Sequence, residues 1–166
     1  MLFLTVVDET AADVVKLVNK VDSAVVVLKT AGRSLDVTNG KVKEVAAKGL
    51  GTGVLGDNAG PVVTAAHVVQ TADKVVAEFA DGTESEARIV ACDPALDLAL
   101  LLIEKVANSS KVVRLGDSDK LKLGEEIVVI DSLFGLSHSV STGIVSGKHQ
   151  PDTDLAGLGA VALEIT

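Results

Sequence analysis

The chain has 166 residues, 48% apolar and 23% charged, which suits one ordinary domain or two small ones and excludes an intrinsically disordered chain. Fifteen Lys and Arg against 23 Asp and Glu leave a net charge of −8, and the only aromatic residues are three Phe. An acidic chain so poor in aromatics argues against binding to a phosphate backbone or stacking on bases, so no nucleic-acid partner is expected.

The opening residues, Met1-Leu2-Phe3-Leu4-Thr5-Val6-Val7, are apolar, but they lack a basic start and acids follow at once. They do not read as a signal peptide. No apolar run reaches the roughly 18 residues of a membrane span. The expectation is a cytosolic protein, or one whose export segment has been removed. The pattern predicts a helix over residues 10–21, with Thr10 as N-cap and Val14, Val15, Leu17, Val18 and Val21 on one face. A short strand follows over 24–28. Residues 30–49 are polar, mixed in charge and aperiodic, and read as a long loop.

From there the chain is a series of short apolar segments divided by turn signals. Strands are expected over 49–55, 61–64, 74–79, 85–91, 98–104, 111–115, 126–130, 139–146 and 160–165. Asp57-Asn58-Ala59-Gly60 reads as a turn, and Asp81-Gly82 as a hairpin signal. Such a series points to an all-β barrel or sandwich rather than βαβ units. Cys92, the one cysteine, excludes an internal disulfide and a multi-cysteine zinc site; among Val, Ala and Ile it reads as buried and inert.

Three histidines are present, His67, His138 and His149. The last two lack the spacing of a local metal site and read as surface residues. His67 closes an apolar strand in Thr64-Ala65-Ala66-His67-Val68-Val69, and taken alone it reads as a satisfied core histidine. Asp97 opens the apolar run Leu98-Ala99-Leu100-Leu101, where a partly buried charge needs a partner. Taken alone it reads as a cap or loop-end hydrogen-bond acceptor. Together they follow the order of the first two members of a His…Asp…Ser triad. In that chemistry the Asp holds one imidazole nitrogen and the other takes a nucleophile's proton.

Their context carries a resemblance. Gly51-Thr52-Gly53-Val54-Leu55, Val63-Thr64-Ala65-Ala66-His67-Val68-Val69, Ala80-Asp81-Gly82-Thr83 and Asp97-Leu98-Ala99-Leu100-Leu101 occur in order. Leu115-Gly116-Asp117-Ser118-Asp119, Leu123-Gly124-Glu125, Phe134-Gly135-Leu136 and Thr142-Gly143-Ile144-Val145-Ser146-Gly147 follow. Over residues 14–166 the chain resembles the HtrA/Deg family of trypsin-like serine proteases. The resemblance implies an all-β, trypsin-like double β-barrel with one N-terminal helix. Residues 1–22 would form the N-terminal segment and helix, 23–119 a complete first barrel, and 120–166 an incomplete second barrel. It further implies His67 as general base, Asp97 as its orienting partner, and a long regulatory loop within 30–49. Unfolded or misfolded polypeptide would be the substrate, with no metal or organic cofactor. A periplasmic or other extracytoplasmic setting is implied, as is a homotrimer assembled through the N-terminal segment, for which residues 2–7 would serve.

The sequence also departs from the family. The family's nucleophile lies in Gly-Asn-Ser-Gly-Gly, and these 166 residues contain no such motif. Ser118 reads as a turn residue, and Ser139, Ser141 and Ser146 as solvent-facing, so none is expected to substitute. Asp131-Ser132-Leu133-Phe134-Gly135 stands where the family has Gly-Asn-Pro-Phe-Gly, which alters the backbone freedom of that loop. The about three strands of 120–166 cannot close a second barrel, so a second chain, a copy of this one or another partner is expected to cover the open edges. Two functions follow: an HtrA-like serine endopeptidase, here as a portion lacking the nucleophilic Ser, or a catalytically inactive protease-like module for structure or partner binding. The chained motifs oppose a third, an unrelated β-barrel binding protein.

Overall fold

A computed structural model describes residues 3–5, 11–38, 41–108, 110–131, 139–147 and 162–164. A short strand β1 (Phe3–Thr5) precedes helix α1 (Ala11–Val21), so the expected helix is present; its expected N-cap, Thr10, lies outside the described residues. The buried side of the helix carries Leu17 and Val21, with Val14 and Val18 packed beside them. Val15 points away and is 62% exposed, so it does not belong to the buried face.

Alternating burial then closes a barrel. The strands are β2 (Val25–Thr38), β3 (Lys41–Leu55), β4 (Pro61–Thr64), β5 (Ala72–Glu78), β6 (Glu84–Asp93) and β7 (Leu98–Ile103), with a one-turn helix α2 (Ala66–Val69) between β4 and β5. They pair in the order β2-β3-β4-β7-β6-β5, and β5 returns to β2. Ala99, Leu101 and Ile103 point inward from β7 at every second position, and they meet Val26 and Leu28, Val62, and Val75 and Ala77. This is the period-two pattern of strands with one face in a core. Closure leaves the barrel no unpaired edge. The turn before β4 needs Gly60, whose φ of 98° is left-handed and whose missing Cβ leaves room for the Ile103 carbonyl.

Two expectations are corrected here. Residues 30–49 are not a loop within the described residues: β2 and β3 pair continuously from Val25↔Val54 to Thr38↔Lys41. Only Val27 to Gly32 of β2 also pair with β5, so the outer part of the hairpin is a two-stranded ribbon beyond the barrel. Among the described residues this outer ribbon pairs with no third strand, and its sequence carries no sustained apolar period. Cys92 is exposed rather than buried. β6 pairs with β5 only as far as Ala87 and shifts register between Ile89 and Ala91, so Cys92, still paired with Ala99 of β7, has no β5 neighbour to cover it.

The remaining strands, β8 (Arg114–Leu115), β9 (Glu126–Asp131), β10 (Ser139–Ile144) and β11 (Ala162–Glu164), form a second sheet with β1 in the order β10-β9-β1-β11-β8. β1 runs antiparallel to β9 and parallel to β11. Residues 3–5, expected to serve contacts between subunits, are thus paired on both sides within this sheet. Among the described residues the second sheet is open while the first is closed, as the complete-plus-partial expectation required. A second core joins the two sheets. Leu17 and Val21 of α1 lie against Val25 and Val54 on the barrel and Val128 and Ile130 on β9.

Candidate active site

The two residues singled out in the sequence come together where α2 meets the start of β7. Strand β4 ends at Thr64, so His67 stands on α2 rather than closing the strand itself. A helix of one turn has little stability of its own, and its N-cap, Ala65, offers no side-chain acceptor. Asp97 supplies what is missing. Its carbonyl accepts the N–H of Ala66 at 3.1 Å, and its Oδ1 accepts the N–H of His67 at 2.9 Å. The same carboxylate meets the imidazole: His67 Nδ1 lies 2.7 Å from Oδ2 and 2.9 Å from Oδ1.

Asp97 is itself held by its turn. Asp93 Oδ1 accepts the N–H groups of Ala95 and Leu96 at 3.0 and 3.2 Å, which folds 94–97 ahead of β7. Asp97 is left-handed, with φ of 51°, the only described non-glycine residue with positive φ. Asp and Asn tolerate that region better than most side chains. Asp93 was not singled out in the sequence, although an Asp ahead of a Pro-containing turn is the signal that finds it.

The Asp97 side chain is 23% exposed and that of His67 58% exposed. Burial pushes the Asp97 carboxyl up. The backbone N–H and imidazole of His67 pull it down more strongly, and it ends below its ordinary value. With Nδ1–H donating to the carboxylate, Nε2 carries the ring's lone pair. A histidine held in that tautomer can accept a proton there while the carboxylate stabilises the imidazolium that forms.

Among the described residues no serine hydroxyl bonds to His67. Ser118, Ser141 and Ser146 are exposed, and Ser139 is half-buried on β10. His138 and His149 lie outside the described residues. No group of three or more His, Cys, Asp or Glu among the described residues could hold a metal ion, and no described helix is long and apolar enough to cross a membrane.

A closed antiparallel barrel joined to a second sheet, with a His on a short helix gripped by an Asp at a strand start, defines the trypsin-like class of peptidase domain. The model of the trypsin-like peptidase domain family matches residues 51–161, and the chain belongs to that family. Its relatives within the family are of HtrA type, as the sequence motifs indicated. A DegP-like periplasmic serine endoprotease of Pseudomonas putida (strain GB-1) is 44% identical over 102 residues, which cover 61% of this chain and 21% of the relative. A do/HhoA-like periplasmic serine protease of Haemophilus influenzae is 41% identical over 100 residues, 60% of this chain and 21% of the relative. Among solved structures, the HtrA-type protease AlgW with a tripeptide superposes with a TM-score of 0.71 at 27% identity, covering 86% of this chain and 42% of that one. The same protease with a decapeptide gives 0.67 at 26% identity, covering 84% and 47%. The chain therefore spans about a fifth of the length of the curated relatives it matches and under half of the solved chains.

Proposed function

We propose that this chain carries the general base and the orienting carboxylate of an HtrA-type serine endopeptidase, His67 and Asp97, acting on unfolded polypeptide. The supporting observation is the single carboxylate that caps α2 and holds Nδ1, which leaves Nε2 as the base. In the reaction, Nε2 takes the hydroxyl proton of a serine as its oxygen attacks the scissile carbonyl. It then returns that proton to the leaving amine, and an acyl-enzyme remains for water to hydrolyse. The serine and the oxyanion donors belong to a Gly-Asn-Ser-Gly-Gly motif that these 166 residues do not contain.

The periplasmic names of the relatives support an extracytoplasmic setting. The solved neighbours with a tripeptide and a decapeptide support a polypeptide as ligand. Cover for the outer strands β8 and β10 is assigned to a second chain, with a homotrimer as the form the family resemblance favours; sedimentation velocity reads both.

The test is proteolysis of unfolded casein. The chain alone is expected to be inert. Joined to a relative's segment bearing Gly-Asn-Ser-Gly-Gly, it is expected to cleave, and His67→Ala in that fusion removes the activity. Casein turnover by the chain alone that survives His67→Ala would overturn the assignment. A folded but inert fusion would favour the second reading, a catalytically inactive module. The altered loop sequence Asp131-Ser132-Leu133-Phe134-Gly135 is the observation on that side.

A further inference from the structure

Asp131 ends β9 in the second sheet, and Thr52 lies on β3 in the barrel. Thr52 Oγ1 donates to Asp131 Oδ1 at 2.5 Å, across 79 positions of sequence. Thr52 is only 8% exposed, so its hydroxyl has little access to water as an alternative partner. The carbonyl of the same Thr52 accepts Thr64 Oγ1 at 2.7 Å, and Thr64 is fully buried. Thr64 is the last residue of β4, and Ala65 alone separates it from α2, whose second residue is His67.

Two hydrogen bonds thus run from a carboxylate on the second sheet, through β3, to the strand end that aims His67. The apolar packing of Val25 and Val54 against Val128 and Ile130 joins the same two sheets but has no direction. A side-chain hydrogen bond supplies the direction that apolar contact lacks. The residue at 131 also decides whether the bond exists. The HtrA-type motif has glycine there, which has no side chain to accept it, so the link belongs to this chain rather than to the resemblance.

We infer that Asp131 and Thr52 are positioning residues whose hydrogen bond ties the second sheet to the barrel strand behind α2 and so sets the orientation of the His67–Asp97 pair. The consequence for catalysis rests on the reading of that pair as base and orienting carboxylate. The geometric effect does not, and it is measured without any peptide turnover.

The experiment is NMR on the chain, with two reporters. One is the low-field Nδ1 proton of His67; the other is hydrogen exchange of the Ala66 and His67 amides, both bonded to Asp97. Thr52→Val keeps the side chain's shape and removes the donor, while Thr52→Ser keeps the hydroxyl. Asp131→Gly removes the acceptor, while Asp131→Asn keeps one. Thr52→Val and Asp131→Gly are expected to shift or broaden the Nδ1 proton and to speed exchange at Ala66 and His67 by about tenfold. Amides shared between β5 and β6 should keep their rates, and Thr52→Ser and Asp131→Asn should resemble the parent. If Thr52→Val does not fold, Asp131→Gly carries the test from the end of a strand. Unmoved reporters in the folded donor- or acceptor-less variants would overturn the inference, as would uniform acceleration across the barrel, which marks a general loss of stability. A shifted Nδ1 proton in a chain whose serine-bearing fusion stays inert would sink the catalytic reading and leave the positioning role standing.

Discussion

A Cβ placed on Gly51 would stand 2.4 Å from Cγ1 of Val68 and 2.8 Å from its Cγ2. The contact is between β3 of the barrel and the one-turn helix that carries His67. Gly51 is therefore the surface on which α2 lies, and its missing side chain sets how closely His67 approaches the strand. Gly51→Ala is expected to destabilise the fold by about 1–3 kcal/mol through overpacking, read by guanidinium denaturation. Val68→Ala in the same chain should recover most of that loss, because the two residues meet directly. Additive losses in the double variant would contradict the contact.

Asp97 holds both the ring of His67 and the N–H groups that begin α2. Asp97→Ala removes the side-chain cap and the ring's partner and keeps a left-handed backbone that alanine tolerates poorly. A loss of about 1–2 kcal/mol is expected from the cap alone. Asp97→Asn retains an acceptor and a residue suited to positive φ, so it should cost less. The order Ala worse than Asn, measured by urea unfolding, is the check.

Acid should expose the same carboxylate. Its native value lies below the ordinary 3.8 because the hydrogen bonds and charge of His67 outweigh burial. The unfolded chain then binds the proton first on acidification, so this contribution is present above the unfolded value and is lost as pH falls through the lowered native one. As pH falls below about 5 and through the lowered native value, the parent should lose more stability than Asp97→Asn. Parallel stability curves for the two proteins would contradict the assignment.

Leu101 is completely buried in the barrel, whereas Leu123 is 66% exposed in the turn ahead of β9. Leu101→Ala is expected to cost about 2–5 kcal/mol, the transfer loss plus the cavity left behind. Leu123→Ala should stay within about 0.5 kcal/mol. Paired thermal melts distinguish them.

Much of the barrel was legible because burial leaves a period-two mark. The inward Ala99, Leu101 and Ile103 alternate with less buried neighbours along β7, and the turn at Gly60 announces itself by residue type. The ribbon beyond Gly32 left no sustained mark, and among the described residues it pairs with no third strand. Its one signal, Asn39-Gly40 between two strands, is a hairpin dipeptide within a stretch that otherwise reads as loop. Cys92 misled for the opposite reason: apolar neighbours in sequence say nothing about how far a strand outruns its partner.

The sequence by itself determined the family, the succession of short strands after residue 49 and His67 and Asp97 as a candidate pair, because motif order and alternation are local properties of a chain. Only the tertiary structure decided that Asp97 caps the helix bearing His67, that Asp131 reaches Thr52, and that Phe3–Thr5 lies between β9 and β11. Each of those pairings joins residues 30 or more positions apart. Their partners are chosen by how sheets close and pack, which no local pattern encodes.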